Sequence, residues 1–440
     1  MDYLGLIYYI CGSFITIFLV GFIITTIIER NRTASFKTMI ITQIFLSYWF
    51  VTPLFINSNS FKIINLSLML IFLFLFFLPI GKKHTLKINA LYGEAERIDE
   101  RDTMFARSYL KKDTENYNTY YSMHPERKII DDKIRAAPEL LSVGGKFYDE
   151  FRSAYIKTLF DIEESRISEV SGVVNTSKIE ISTLDATKLI KELTIHMGAD
   201  EVGIANLNPN YIYSHSAIGN APWGSRIENN HTFVIAYTLE MDYLKVRQSP
   251  DLGITEESAN RYLDAQKISI ALAGLIRDLG YSARAHISGS DYQIMLPPVA
   301  YDAGLGELGR LNFLISKKYG ARIRLGAVTT NLNLIPDKPI QFGIQDFCNR
   351  CLKCVENCPS GAISKSDKKD IRGVEKWDFN IEQCYKLWRH YGTDCGICMK
   401  VCPFSHPDNF VHNIIRYGIK NSVFARQISV WGDNLIYTFP

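Results

Sequence analysis

Hydrophobic positions crowd the first 80 residues and then thin out. Three nearly unbroken apolar runs, Leu4–Ile28, Met39–Ile56 and Ile63–Ile80, stand in tandem with short polar connections. Each approaches the roughly 20 apolar residues that a helix needs to cross a bilayer. A cleaved leader would show one short apolar region and a small-residue cleavage site instead. Basic residues alternate between the connections. None precedes the first run; Arg30, Arg32 and Lys37 follow it, Lys62 alone follows the second, and Lys82, Lys83 and Lys87 follow the third. This bias places the amino terminus outside and the remaining chain in the cytoplasm. Asn31 separates Arg30 from Arg32, so they form no twin-arginine pair.

From residue 88 the pattern is that of a water-soluble protein. Residues 88–165 are polar, aromatic and helix-prone, broken by Pro125 and Pro138, and residues 163–182 read as a linker. Leu189, Ile190, Leu193 and Met197 recur at helical spacing, which predicts a helix over Ala186–Met197 that ends at Gly198. Strands are predicted at Glu201–Leu207 and His231–Leu239. Thr255 is placed to cap a long helix, with Glu256 and Glu257 in its first turn and Gly280 behind its last residue, Leu279. Ala283–Ile287 and Arg322–Thr330 are further strands. A helix–glycine–strand unit occurs twice, which predicts one layered α/β domain. The expected division is 1–87, 88–182, 183–340 and 341–440.

Composition narrows the function. With 22% charged and 47% hydrophobic residues, the chain is neither disordered nor fibrous. A net charge of +3 gives no case for a nucleic-acid partner. Of nine cysteines, Cys11 lies in the first apolar run and eight lie between Cys348 and Cys402. That clustering excludes a secreted disulfide scaffold.

The spacing of the eight is the strongest chemical signal. Cys348-x-x-Cys351-x-x-Cys354-x-x-x-Cys358-Pro359 is followed by Cys384 and by Cys395-x-x-Cys398-x-x-x-Cys402-Pro403. In such runs three close cysteines ligate one cluster and the fourth reaches the other. Cys348, Cys351, Cys354 and Cys402 are thereby assigned to one [4Fe–4S] cluster, and Cys358, Cys384, Cys395 and Cys398 to a second. Paired zinc knuckles need neither the third close cysteine nor the proline. Two clusters imply one-electron chemistry.

Gly304-Leu305-Gly306-Glu307-Leu308-Gly309 matches GxGxxG. It follows no convincing strand and lacks an acid at the required offset, so a dinucleotide site is not expected. A glycine turn, or a backbone in close approach to a large flat cofactor, remains.

Several separated segments carry a resemblance. Arg101-Asp102-Thr103-Met104-Phe105-Ala106-Arg107, Tyr120-Tyr121-x-x-His124-Pro125-Glu126, Glu240-Met241-Asp242-Tyr243, Ala303 to Arg310, and Val328-Thr329-Thr330-Asn331-Leu332 precede the cysteine sets in that order. Together, over about residues 95–410, they resemble the corrinoid-dependent reductive dehalogenase family; the related epoxyqueuosine reductases share the cysteine sets and the glycine-arginine segment. The resemblance implies an α/β corrinoid-binding core with a C-terminal ferredoxin-like two-cluster region, here behind an N-terminal three-helix membrane anchor. It implies a base-off cobamide (cobalamin or a related corrinoid) reduced through the clusters, and organohalides as substrates. It also implies a low-potential donor such as ferredoxin, flavodoxin or a membrane donor.

The Asp-x-His-x-x-Gly cobalamin signature is incomplete, because Arg284 stands at the aspartate position before His286 and Gly289. By the resemblance, the proton donor is Tyr243 or Asp242, and Arg310 is the cation beside it. Gly304, Leu305, Gly306, Glu307, Gly309, Ser214, His215, Thr329 and Thr330 are then the corrinoid contacts. Tyr211, Tyr213 and Trp223 are candidates for the pocket wall. Two other readings stay open: a queuosine-type reductase acting on tRNA, and a membrane-bound ferredoxin-like electron relay.

Overall fold

Inside a bilayer a long apolar run must satisfy its backbone hydrogen bonds locally, and all three runs coil. Helix α1 spans Tyr3–Ile28; α2 spans Arg32–Leu46 and continues through a π-helical stretch, Ser47–Val51, to Phe55; α3 spans Asn59–Phe77. All three are long and apolar enough to cross a membrane. The polar start of α2 precedes its apolar run because Asn31 caps it, accepting from Ala34 N at 3.1 Å. Trp49 donates to Tyr8 O at 3.0 Å and stacks on the Tyr8 ring, centroids 4.6 Å apart. Gly12 makes room for it, since a Cβ there would overlap the indole.

The computed structural model describes residues 3–437 except 57, 82–83, 90–92, 94 and 288–290, so Lys82, Lys83 and Gly289 lie outside the described residues. Two compact bodies emerge. One comprises residues 1–85, 341–351 and 406–440; the other comprises 86–340 and 352–405. Residues 88–182 share a body with the α/β core, residues 352–405 return to it, and the tail from His406 belongs with the spans.

In the second body, α4 (Glu150–Ser165) packs on α6 (Leu252–Asp278), and α6 with α5 (Thr183–His196) packs on four strands. These are β1 (Glu201–Asn206), β2 (Phe233–Glu240), β3 (Ala283–His286) and β4 (Ile323–Thr330), in spatial order β1-β2-β4-β3 with every neighbour antiparallel. Pro125 opens a helix, Pro125–Arg135, at the position where its missing N–H costs nothing. Helix α5 starts ahead of its apolar stripe because Ser182 Oγ accepts from Asp185 N at 3.1 Å. Helix α6 starts at Leu252, not after Thr255: Asp251 is the cap, accepting from Gly253 N at 3.0 Å. Thr255 instead binds Thr393 Oγ1 at 2.5 Å and accepts from Asp394 N at 2.9 Å.

Strand β2 is apolar on both faces, as a central strand covered on two sides must be. Ile204, Ile235 and Val328 pack under Ile190, Leu272 and Ile276 of α5 and α6. Val234, Ala236 and Ala327 face Val299 and Ala300 of α7 (Leu296–Asp302). Arg322, fully buried at the start of β4, donates Nε to Ser405 O at 2.5 Å and Nη1 to Glu240 Oε1 at 2.9 Å and to Met241 O. It fastens the sheet to the turn after Cys402. Helix α8 (Ile381–Tyr391) carries Cys384. In the first body, α9 (Phe410–Asn421) and α10 (Val423–Ile436) pack on each other and on α3.

Tyr237 and Gly326 are directly opposed across β2 and β4, and a Cβ on Gly326 would overlap the Tyr237 ring. Gly326→Ala is expected to destabilise the protein by about 1–3 kcal/mol through overpacking, read as a lowered thermal midpoint.

Candidate active site

A cavity of about 1010 Å³ lies within the second body. Tyr211, Tyr213, Tyr292, Met295, Leu296 and Tyr301 give it a largely apolar wall. Ile254, Ser258 and Tyr262, one turn apart on α6, share a helix face and line it together. Arg324 reaches it from β4. Its guanidinium lies 5.4 Å from the Tyr262 ring centroid, donates to Ser258 Oγ at 2.6 Å and sits 3.8 Å from Asp394 Oδ2. Burial pushes the Tyr262 hydroxyl above its ordinary value, while Arg324, charged and hydrogen-bonded to it, acts the other way. The balance keeps the hydroxyl protonated, with the Arg324 guanidinium as the cation that opposes burial.

Four thiols stand in the same wall: Cys358, Cys384, Cys395 and Cys398. Cys384 is pushed up to about 12, by burial first and then by Cys395 and Cys358, and Cys395 up to about 11, by burial with Cys358 and Asp394 adding to it. Cys398 is raised well above its ordinary value for the same reason. Cys358 differs: burial opposes it, but the Ser360 hydroxyl and the N–H groups of Ile363, Ala362 and Ser360 bring it below the usual thiol value. Four thiolates are the number of protein ligands that one [4Fe–4S] cluster takes. The loop is anchored to α6 through the Thr255–Thr393 pair, and to the segment before α6 through Lys400 Nζ, which donates to Ser249 O at 2.7 Å. Cys348 and Cys351 lie on the helix Ile344–Cys351, Cys354 on the helix Lys353–Glu356, and Cys402 in the turn before Pro403.

The expected catalytic trio is elsewhere. Asp242 is a helix cap, accepting from Lys245 N at 2.8 Å. Tyr243 forms a ring face for Arg322 and Arg247, at 5.5 and 5.8 Å. Arg310 is buried over Trp377 at 4.7 Å and donates to Ser364 O at 2.9 Å and Ser366 O at 3.1 Å. None of the three lines the cavity. The reason is local: the end of β2 turns straight into a helix, which spends Asp242 on capping.

The other expected contacts are also placed by protein. His215 Nδ1 lies 3.0 Å from Ser214 Oγ and 3.3 Å from Asp99 Oδ2. Thr329 Oγ1 meets His286 Nε2 at 3.0 Å, and Thr330 donates to Ser282 O at 2.8 Å. Gly304 has φ +77° and leaves room for Lys338 O, while Gly306 and Gly309 leave room for Ile315. Leu305 and Glu307 are buried. Tyr211 and Tyr213 do line the cavity; Trp223 does not, and lies 5.2 Å from the Arg101 guanidinium.

Residues 347–406 match the 4Fe-4S dicluster domain. The tetrachloroethene reductive dehalogenase of Desulfitobacterium hafniense is 30% identical over 60% of this chain and 58% of its own. The enzyme of the same name from Sulfurospirillum multivorans is 27% identical over 58% and 57%. The chain is a relative of the reductive dehalogenases. It spans 58% of the length of the Desulfitobacterium enzyme. A catabolic reductive dehalogenase solved with 3-bromo-4-hydroxybenzoic acid shares the fold, with a TM-score of 0.63 and 23% identity over 81% of this chain and 48% of that one. The epoxyqueuosine reductase of Lactococcus garvieae is more distant, 34% identical over only 24% of this chain and 31% of its own.

The cavity has room for a large, mainly apolar group, being at the upper end of the roughly 300–1,000 Å³ typical of small-molecule sites. His286 is no ligand candidate for it. The imidazole is fully buried, accepts from Gln293 N at 3.2 Å, contacts Thr329, and is pushed well below its usual pKa by burial and then Arg284. Tyr262, Arg324 and Asp394 had no motif to announce them. The only local trace is the four-residue recurrence of Ile254, Ser258 and Tyr262.

Glu100 is 1% exposed, accepts from Ala217 N at 2.7 Å and Ile218 N at 3.2 Å, and thereby props a cavity-lining residue, Ile218. Burial pushes it up to about 7 from 4.5. A raised carboxyl favours the fold fully below about pH 4.5 and loses that contribution as pH rises through about 7. Glu100→Gln should therefore match the parent near pH 4 and exceed it by about 2–3 kcal/mol above pH 8, read from thermal midpoints across pH.

Proposed function

We propose that this protein is a membrane-anchored reductive dehalogenase using a cobamide and two [4Fe–4S] clusters. The observation that carries the reading is one wall: Cys358, Cys384, Cys395 and Cys398 border the same cavity as Tyr262 and Arg324. The net reaction consumes an organohalide, two electrons and one proton, and yields the hydrogenated carbon and halide. When bound, the clusters and a low-valent cobamide would supply the electrons that break the carbon–halogen bond.

This chain's own residues do the rest. Tyr262 donates its hydroxyl proton to the carbon that loses halide. Arg324 stabilises the phenolate left behind, and Asp394 with Ser258 holds Arg324 in place. The tyrosine-rich wall excludes water and accepts an arene or alkene face. Cys348, Cys351, Cys354 and Cys402 are assigned to the second cluster by their spacing, which leads toward a low-potential donor. The three apolar helices anchor the protein, with the catalytic part on the cytoplasmic side by the positive-inside bias. A pure electron relay would have no use for a cavity of this size with a tyrosine–arginine pair in its wall. The near-neutral charge disfavours a tRNA substrate.

Anaerobically reconstituted protein is expected to hold about eight irons, as two [4Fe–4S] clusters require, together with cobalt, and to release halide from haloarenes or haloalkenes. Iron without cobalt would leave only the relay. Tyr262→Phe should lower turnover about 10²–10⁴-fold, the usual contribution of a positioned proton donor. Tyr243→Phe should leave turnover near the parent value, and Cys384→Ala should remove about four irons.

A further inference from the structure

We propose that Glu29, His406 and His412 form a binding site for a divalent first-row transition metal, zinc being the ion that tests it. The three residues come together in the body that contains the spans, and the site is independent of the proposed reaction. Glu29 follows the end of α1, His406 precedes α9, and His412 lies in the first turn of α9.

Their ligating atoms all lie within 4.8 Å of one another. Glu29 Oε1 is 2.6 Å from His412 Nε2 and 3.3 Å from His406 Nδ1. Two donors on a tetrahedral zinc, with bonds of about 2.0–2.1 Å, stand about 3.3 Å apart. Small adjustments therefore convert the cluster into a coordination set.

Three further observations fit a metal. All three side chains are buried, with Glu29 only 1% exposed. Phe22, Val411, Ile436 and Tyr437 form an apolar shell around the same place, which strengthens charge–dipole attraction inside it. Asp433 of α10 places Oδ1 3.2 Å from His406 Nε2, the nitrogen that would not bind the metal. A carboxylate behind a ligating imidazole fixes its tautomer and raises its basicity. Arg416 Nη2 donates to His406 O at 2.5 Å and holds the loop. One carboxylate with two imidazoles selects zinc, iron(II) or similar ions over magnesium and calcium. The ion would clamp the end of the first span to the two C-terminal helices.

The test uses the full-length protein in detergent, purified anaerobically with its clusters intact, washed with a mild chelator and titrated with Zn²⁺. One zinc per chain is expected by elemental analysis, with iron unchanged. Its X-ray absorption fine structure should show oxygen and imidazole nitrogen and no sulfur. Zinc should raise the thermal midpoint of the parent but not of His412→Asn or Glu29→Gln. Asp433→Asn should bind zinc about 10–100-fold more weakly, as loss of the carboxylate behind a ligating imidazole does. Zinc uptake equal in the parent and His412→Asn, or zinc held by sulfur, overturns the site and leaves a buried hydrogen-bonded ion pair. If neither ligand variant folds, the parent's absorption spectrum and the Asp433→Asn affinity decide.

Discussion

A guanidinium shut away from water must find acceptors from the protein itself, and Arg322 finds them at the junction between the sheet and the cysteine loops. Its partners, Glu240, Met241 O and Ser405 O, come from the end of β2 and from the turn after Cys402. Stripping acceptors from such a charge typically costs about 3–5 kcal/mol, so sheet and loop hold each other in register. The Thr255–Thr393 contact repeats the arrangement between α6 and the same loop. Tyr262, Arg324 and the wall cysteines are consequently set by helix, strand and clamped loop, with little left to flexible chain.

That frame also governs the electrostatics of the cavity. Burial opposes charge on Tyr262, Asp394, Cys384, Cys395 and Cys398 alike. Charge is tolerated there only where something answers it. Arg324 answers for the tyrosine and the aspartate. Iron would answer for the thiolates, since metal binding and cysteine deprotonation are coupled. A low-polarity chamber with a few answered charges suits a reaction that moves electrons and one proton while keeping water away.

Much of the fold was legible in the sequence, because apolar runs, helical stripes and double-sided strands are local patterns. The cysteine spacing was legible for the same reason, as a cluster ligand set is written into consecutive residues. The pairing of Tyr262 with Arg324 was not. Tyr243 stood in a motif beside an acid, yet the strand-to-helix turn makes Asp242 a cap and sets Tyr243 against Arg322. Tyr262 sits mid-helix, and its partner Arg324 lies on another element; only the packing of α6 on β4 joins them. At the GxGxxG glycines the close approach is made by Lys338 and Ile315 of the chain itself, contacts that no local pattern announces. The start of α6 was misplaced because Asp251, not the more conspicuous Thr255, supplies the cap.

The indole of Trp49, seated in the notch at Gly12 and bonded to the Tyr8 carbonyl, has a mechanical consequence for the lipid-facing part. It keys α1 to α2 like a tooth in a slot. Neither helix can roll about its long axis without forcing the ring into its neighbour's backbone. A bilayer that thickens or thins will be met by the two helices tilting as one plank.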